Sequence, residues 1–138
     1  MTVGWEAGAT SEVSLRGRRI LIIEDESMVI MLLQDFLDEI GCEVVGVASR
    51  FRQAREMIDA LMFDAAILDV NLNGQQSFAI GRELLARGRA IVFATGYGAG
   101  TLPAELRHVR VLQKPFHRED LERALRAAFT DRCAPMAR

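Results

Sequence analysis

Five runs of strand length, Arg19 to Glu24, Glu43 to Ala48, Ala65 to Val70, Ala90 to Thr95 and Val109 to Gln113, alternate with segments of helical periodicity. Continuous apolar stretches such as Ile20 to Ile23 or Ala65 to Leu68 leave no face for water, so they predict strands covered on both sides. Between the first two runs Val29, Leu32, Leu33, Phe36, Leu37 and Ile40 recur at helical spacing. Gln34, Asp35, Asp38 and Glu39 lie opposite, and Gly41 ends the pattern. Ala54, Met57, Ile58 and Leu61 mark the inner face of a second helix, 77–87 reads as a third closed by Gly88, and Leu121, Ala124, Leu125 and Ala128 line a last one over 117–129. The Met and Leu positions of the first two helices read as core. Residues 71–76 read as a Gly-containing loop, and 96–108, with three glycines and Pro103, admits only a short helix near Pro103 to Arg107.

Strict alternation of strand and helix predicts a parallel sheet with helices on both faces, because right-handed crossovers cover it on each side. The expected fold is α/β: a doubly wound, flavodoxin-like (βα)5 sheet of strand order 2-1-3-4-5. With 138 residues, half of them hydrophobic, the chain suits one compact domain. That domain is expected over 18–130, with a flexible leader at 1–17 and a tail at 131–138. A net charge of −2 argues against a nucleic-acid surface, so DNA binding by this chain is not expected. Neither a signal peptide nor a membrane span is expected. Cys42 and Cys133 lack metal-ligand spacing and read as free thiols of a reducing compartment, which points to the cytoplasm.

In such sheets ligands gather beyond the carboxyl ends of the strands. Four of the runs deliver polar groups there: Glu24, Asp25 and Glu26 after the first, Asp69 after the third, Thr95 after the fourth and Lys114 after the fifth. Lys114 is the only lysine, although Lys and Arg together number 17. A slim ammonium reaches into a small pocket where a planar guanidinium does not fit. Glu24, Asp25 and Asp69 at one edge would repel each other unless a cation lies between them, and hard oxygen ligands suit Mg²⁺. Mg²⁺ commonly shares such a site with a phosphate, toward which one Asp can act as nucleophile while Lys114 and Thr95 hold phosphoryl oxygens.

The set Glu24-Asp25, Asp69, Thr95 and Lys114-Pro115 resembles the receiver domain of bacterial two-component response regulators over residues 19–130. The resemblance implies that Asp69 accepts a phosphoryl group from a histidine kinase. It implies that Asp25 and Asp69 bind Mg²⁺ by side chain, with Glu24 assisting through water and Asn71 offering its backbone carbonyl. It also implies a cis Lys114-Pro115 bond, cis being cheapest before proline. Phe93-Ala94-Thr95-Gly96-Tyr97, with Pro115-Phe116, further resembles the FATGUY subgroup, which tends to be stand-alone and to pair with HWE-type or related histidine kinases. Signalling is then expected through binding of a downstream protein, with homodimerisation on phosphorylation left open.

Two departures stand out. Glu24 occupies a position where many receivers carry Asp. Val111 stands where most carry a Tyr or Phe that swings inward, which leaves Tyr97 as the candidate switch aromatic. Two rival readings share parts of this residue set. A phosphohydrolase of the haloacid dehalogenase kind would need an acid two residues after its nucleophile, where this chain has Asn71, and room for a cap domain. A pseudo-receiver used only for binding would be expected to lack part of the acceptor set.

Overall fold

The computed structural model describes residues 13–96 and 102–133. Tyr97, residues 1–12 of the expected leader and the end of the expected tail lie outside the described residues. Elements follow the anticipated alternation: β1 Arg19–Ile23, α1 Ser27–Ile40, β2 Glu43–Ala48, α2 Phe51–Ala60, β3 Ala65–Asp69, α3 Phe78–Ala86, β4 Ala90–Thr95, β5 Arg110–Gln113 and α4 Arg118–Cys133. The five strands form one parallel sheet in the order β2-β1-β3-β4-β5.

Period-two alternation divides the core into two layers. Ile20, Ile22, Ala65, Ile67, Ala90, Val92 and Ala94 point to the side closed by α1 and α4, where Leu33, Leu37, Leu121, Leu125 and Phe129 meet them. Leu21, Ile23, Ala66, Leu68, Ile91 and Phe93 point to the other side, against Ile58 of α2 and Ile80 and Leu84 of α3. Helix α3 sits close to β4 because residue 81 is Gly: a Cβ there would lie 2.7 Å from Phe93 Cζ. Gly41 ends α1 at φ 100°, its N–H donating to the Leu37 and Asp38 carbonyls.

Several expectations need correction. The stretch 71–76 is a small hairpin, Asn71–Leu72 paired antiparallel with Gln75–Gln76. Its turn residues Asn73 and Gly74 have φ 51° and 82°, the positive values that a tight hairpin turn between twisted strands requires. The segment near Pro103 is a single 3₁₀ turn, Ala104–Leu106, and the last helix runs to Cys133. Met28, Met31 and Leu32 are not core: they are 81%, 63% and 36% exposed, as is Met62 at 70%. Helix α1 carries more apolar residues than its one inward stripe can bury. Within the stretch read as leader, Leu15 is buried, and its carbonyl accepts a hydrogen bond from Cys42 Sγ at 3.3 Å. Arg126 Nη1 donates to the Val13 carbonyl at 2.8 Å, so this segment is strapped across the end of the α1–α4 layer.

Candidate functional site

The sheet brings the anticipated residues to one edge. Parallel register places Asp69 beside Ala94, and Thr95 beside Gln113, the residue before Lys114. Ladder bonds continue past the strand ends: Glu24 N–H to the Ala48 carbonyl at 2.9 Å, Val70 N–H to Ala94 at 3.1 Å and Lys114 N–H to Thr95 at 2.8 Å. Backbone hydrogen bonds therefore hold the strand exits where these side chains leave them. The Lys114-Pro115 bond is cis.

One oxygen from each of Glu24, Asp25 and Asp69 lies within 4.8 Å of the others. Lys114, 90 positions along the chain from Glu24, reaches into this group. Its Nζ lies 3.1 Å from Glu24 Oε1, 3.2 Å from Glu26 Oε1 and 3.5 Å from Asp69 Oδ2. Glu24 Oε2 accepts hydrogen bonds from Nζ at 3.3 Å and from Glu26 N–H at 3.2 Å. Glu24 Oε1, although close to the ammonium, is buried and accepts no hydrogen bond among the described residues. Lys114 is its nearest charge partner, and its position beside two further carboxylates suits a hard cation as well.

Burial and the charge of Asp69 push the Glu24 carboxyl up to about 7, Lys114 pulling the other way. Burial likewise raises Asp69, opposed by Glu24, Lys114 and the Asn71 N–H. Burial alone would lower Lys114, but the Glu24 and Asp69 carboxylates together raise it and keep it charged. The acidic group thus holds more negative charge than one lysine offsets, and it favours uptake of either a proton or a cation.

Asp69 is 7% exposed and opens into a cleft of about 560 Å³ shared with Asp25, Asn71, Thr95, Gly96 and Lys114. Thr95 is buried at the cleft wall, and among the described residues a Cβ on Gly96 would meet nothing within 4 Å. Asp69 Oδ1 accepts the Asn71 N–H at 3.2 Å. Val111 is half-buried against the α2–α3 layer.

The contacts of three residues were missed from the sequence. Ser77, fully buried, donates its hydroxyl to the Asp69 carbonyl at 2.6 Å instead of capping α3. Asn73 N–H donates to Asp25 Oδ2 at 2.9 Å, and its Nδ2 donates to the Ser49 carbonyl at 2.7 Å. Glu26 lies on Lys114. The Asn73-Gly74 dipeptide was the available signal for the hairpin that makes the second of these.

Residues 20–126 match the family described as response regulator receiver domain. Among curated proteins, the transcriptional regulatory protein PdtaR of Mycobacterium tuberculosis is 32% identical over 117 residues, which covers 82% of this chain and 57% of PdtaR. The chain thus spans little more than half the length of that relative. Among solved structures, SdrG from Sphingomonas melonis Fr1 is 37% identical at TM-score 0.75, covering 85% of this chain and 99% of SdrG. A BeF3-activated conformation of SdrG matches at 39% identity and TM-score 0.70, over 80% of this chain and 94% of that one. A matching family over most of the sequence, a five-stranded 2-1-3-4-5 sheet and a carboxylate cluster faced by a lysine at its edge have one common reading: the chain belongs to the response regulator receiver domain family.

Proposed function

We propose that this protein accepts a phosphoryl group on Asp69 from a histidine kinase and signals by phosphorylation-dependent binding to other proteins. The observation that carries the reading is the convergence of Asp25, Asp69 and Lys114 on one open cleft, with the buried Glu24 carboxylate completing the acidic cluster beside it. One Asp69 carboxylate oxygen attacks phosphorus and forms the acyl phosphate, while the bond from phosphorus to the donor nitrogen breaks and its electron pair leaves with the donor. Lys114 Nζ, already 3.5 Å from Asp69 Oδ2, receives a phosphoryl oxygen, and the Thr95 hydroxyl serves another. Asp25 and Asp69 by side chain, Glu24 through water and Asn71 by its backbone carbonyl would hold Mg²⁺. When bound, that ion neutralises the carboxylates and withdraws charge from the phosphoryl oxygens.

The FATGUY pattern supports a kinase of HWE or related type and Tyr97 as the switch aromatic. Met28, Met31 and Leu32, exposed on the first turns of α1 beside Glu26, supply an apolar patch of the kind a protein partner covers. No helix among the described residues is long and apolar enough to cross a membrane, which agrees with a cytoplasmic regulator. The same chemistry needs no turnover of a free substrate, so the protein acts as a phosphoacceptor and not as an enzyme in the ordinary sense.

Intact mass after incubation with Mg²⁺ and acetyl phosphate tests the proposal. A gain of one phosphoryl group that is lost with EDTA and in Asp69→Asn supports it. A gain that survives in Asp69→Asn places the acceptor elsewhere and refutes it.

A further inference from the structure

We propose that Asn73 is a positioning residue for Asp25, acting through the hairpin 71–76; the inference rests on the metal-assisted phosphoacceptor reading above. The hairpin is fastened at both ends. At its base the Ser77 hydroxyl donates to the Asp69 carbonyl at 2.6 Å and the Ser77 N–H to the Val70 carbonyl at 2.9 Å. Leu72, fully buried, pins its middle. At its tip the Asn73 N–H donates to Asp25 Oδ2 at 2.9 Å, across 48 positions of sequence, and the Asn73 amide donates to the Ser49 carbonyl at 2.7 Å. One short unit that starts two residues after the phosphoacceptor therefore ends on a second carboxylate of the same cluster.

A carboxylate turns freely about its last bond, so an N–H fixed on one oxygen decides where the other points. Partners of this kind orient a ligand and tune affinity for the metal. Asparagine suits the place because it tolerates a φ of 51° and also carries a donor that reaches the loop after β2. Glycine would allow the turn but leave the tip unanchored.

Asn73→Gly keeps the backbone N–H and the turn while removing the anchor to Ser49. Titration of the full chain with Mg²⁺ alone, read by calorimetry, is expected to show Kd rising about 3–10-fold. That is short of the roughly 10–100-fold that follows loss of a direct outer-sphere partner. The metal-free melting temperature is expected to move by less than about 2 °C, as for a surface substitution. In wild type, the residue-73 amide proton is expected to be protected from exchange, and Asp25→Ala should remove that protection.

An unchanged Mg²⁺ affinity with a lowered melting temperature would make the hairpin merely structural and overturn the proposal. So would an unprotected residue-73 amide in wild type, a result that does not depend on the variant folding. Wild type that takes up no Mg²⁺ at all would defeat the phosphoacceptor reading itself, an outcome distinct from wild-type binding that Asn73→Gly leaves intact.

Discussion

Replacing Glu24 by Gln should make the metal-free protein more stable in mild alkali. The carboxyl is 1% exposed, and burial, reinforced by Asp69, raises it from 4.5 to about 7 against the pull of Lys114. An acid whose folded pKa exceeds its unfolded value binds its proton more tightly when folded. Its contribution is therefore fully present below the unfolded value and is lost as pH rises from about 4.5 to about 7. At about 1.4 kcal/mol per unit, that shift corresponds to about 3 kcal/mol by about pH 8. Asp69 is raised as well and keeps part of the repulsion, so about 1–3 kcal/mol should be recovered by a neutral side chain of the same shape. For a chain of this size that is about 3–10 °C in melting temperature.

The assay is thermal unfolding in EDTA, followed by circular dichroism, at about pH 8 and again at about pH 5, where the difference should fall to about a quarter. Mg²⁺ at 100 times its Kd would then stabilise wild type by about 2.7 kcal/mol. The Gln variant should gain less and lose its advantage. If it melts below wild type near pH 8 without metal, the Glu24–Lys114 ion pair outweighs the desolvation of Glu24, and the account of a cluster that needs a cation is wrong.

Leu15→Ala should cost about 2–4 kcal/mol by denaturant unfolding, since Leu15 is 3% exposed against the α1–α4 layer; a loss under about 0.5 kcal/mol would mean that the strap is not docked in solution. Gly81→Ala should destabilise by about 1–3 kcal/mol because its Cβ would stand 2.7 Å from Phe93 Cζ, and unchanged stability would show that α3 moves aside freely. Ser77→Ala removes the donor to the Asp69 carbonyl; about 1–2 kcal/mol of stability should go with it, together with a slower rate of phosphorylation by acetyl phosphate. An unaltered rate would detach Ser77 from the placement of Asp69.

The fold was legible because its strands are buried on both faces and so read as unbroken apolar runs, while helices such as α1 keep a polar side. The site was legible for a related reason: Asp69 and Thr95 end their strands, and Glu24 and Lys114 follow theirs directly, so locating the strands located the residues. What was missed lies where neither period applies. The hairpin 71–76 is too short to show alternation, and only Asn73-Gly74 marks its turn. Leu15 stands among small and polar neighbours, and nothing local reveals that the end of the α1–α4 layer needs covering. Met28 and Met31 match a core composition, but their exposure depends on how far α1 rotates over the sheet, which packing decides.

The central claim is that Asp69 forms an acyl phosphate. Treating the protein with acetyl phosphate and Mg²⁺, reducing with borohydride and sequencing the peptide that contains residue 69 by mass spectrometry addresses it directly. Homoserine at position 69, absent without phosphodonor or with EDTA, is the predicted result. Unreduced Asp69 in a protein that has gained phosphoryl mass, or reduction at another carboxylate, would contradict it.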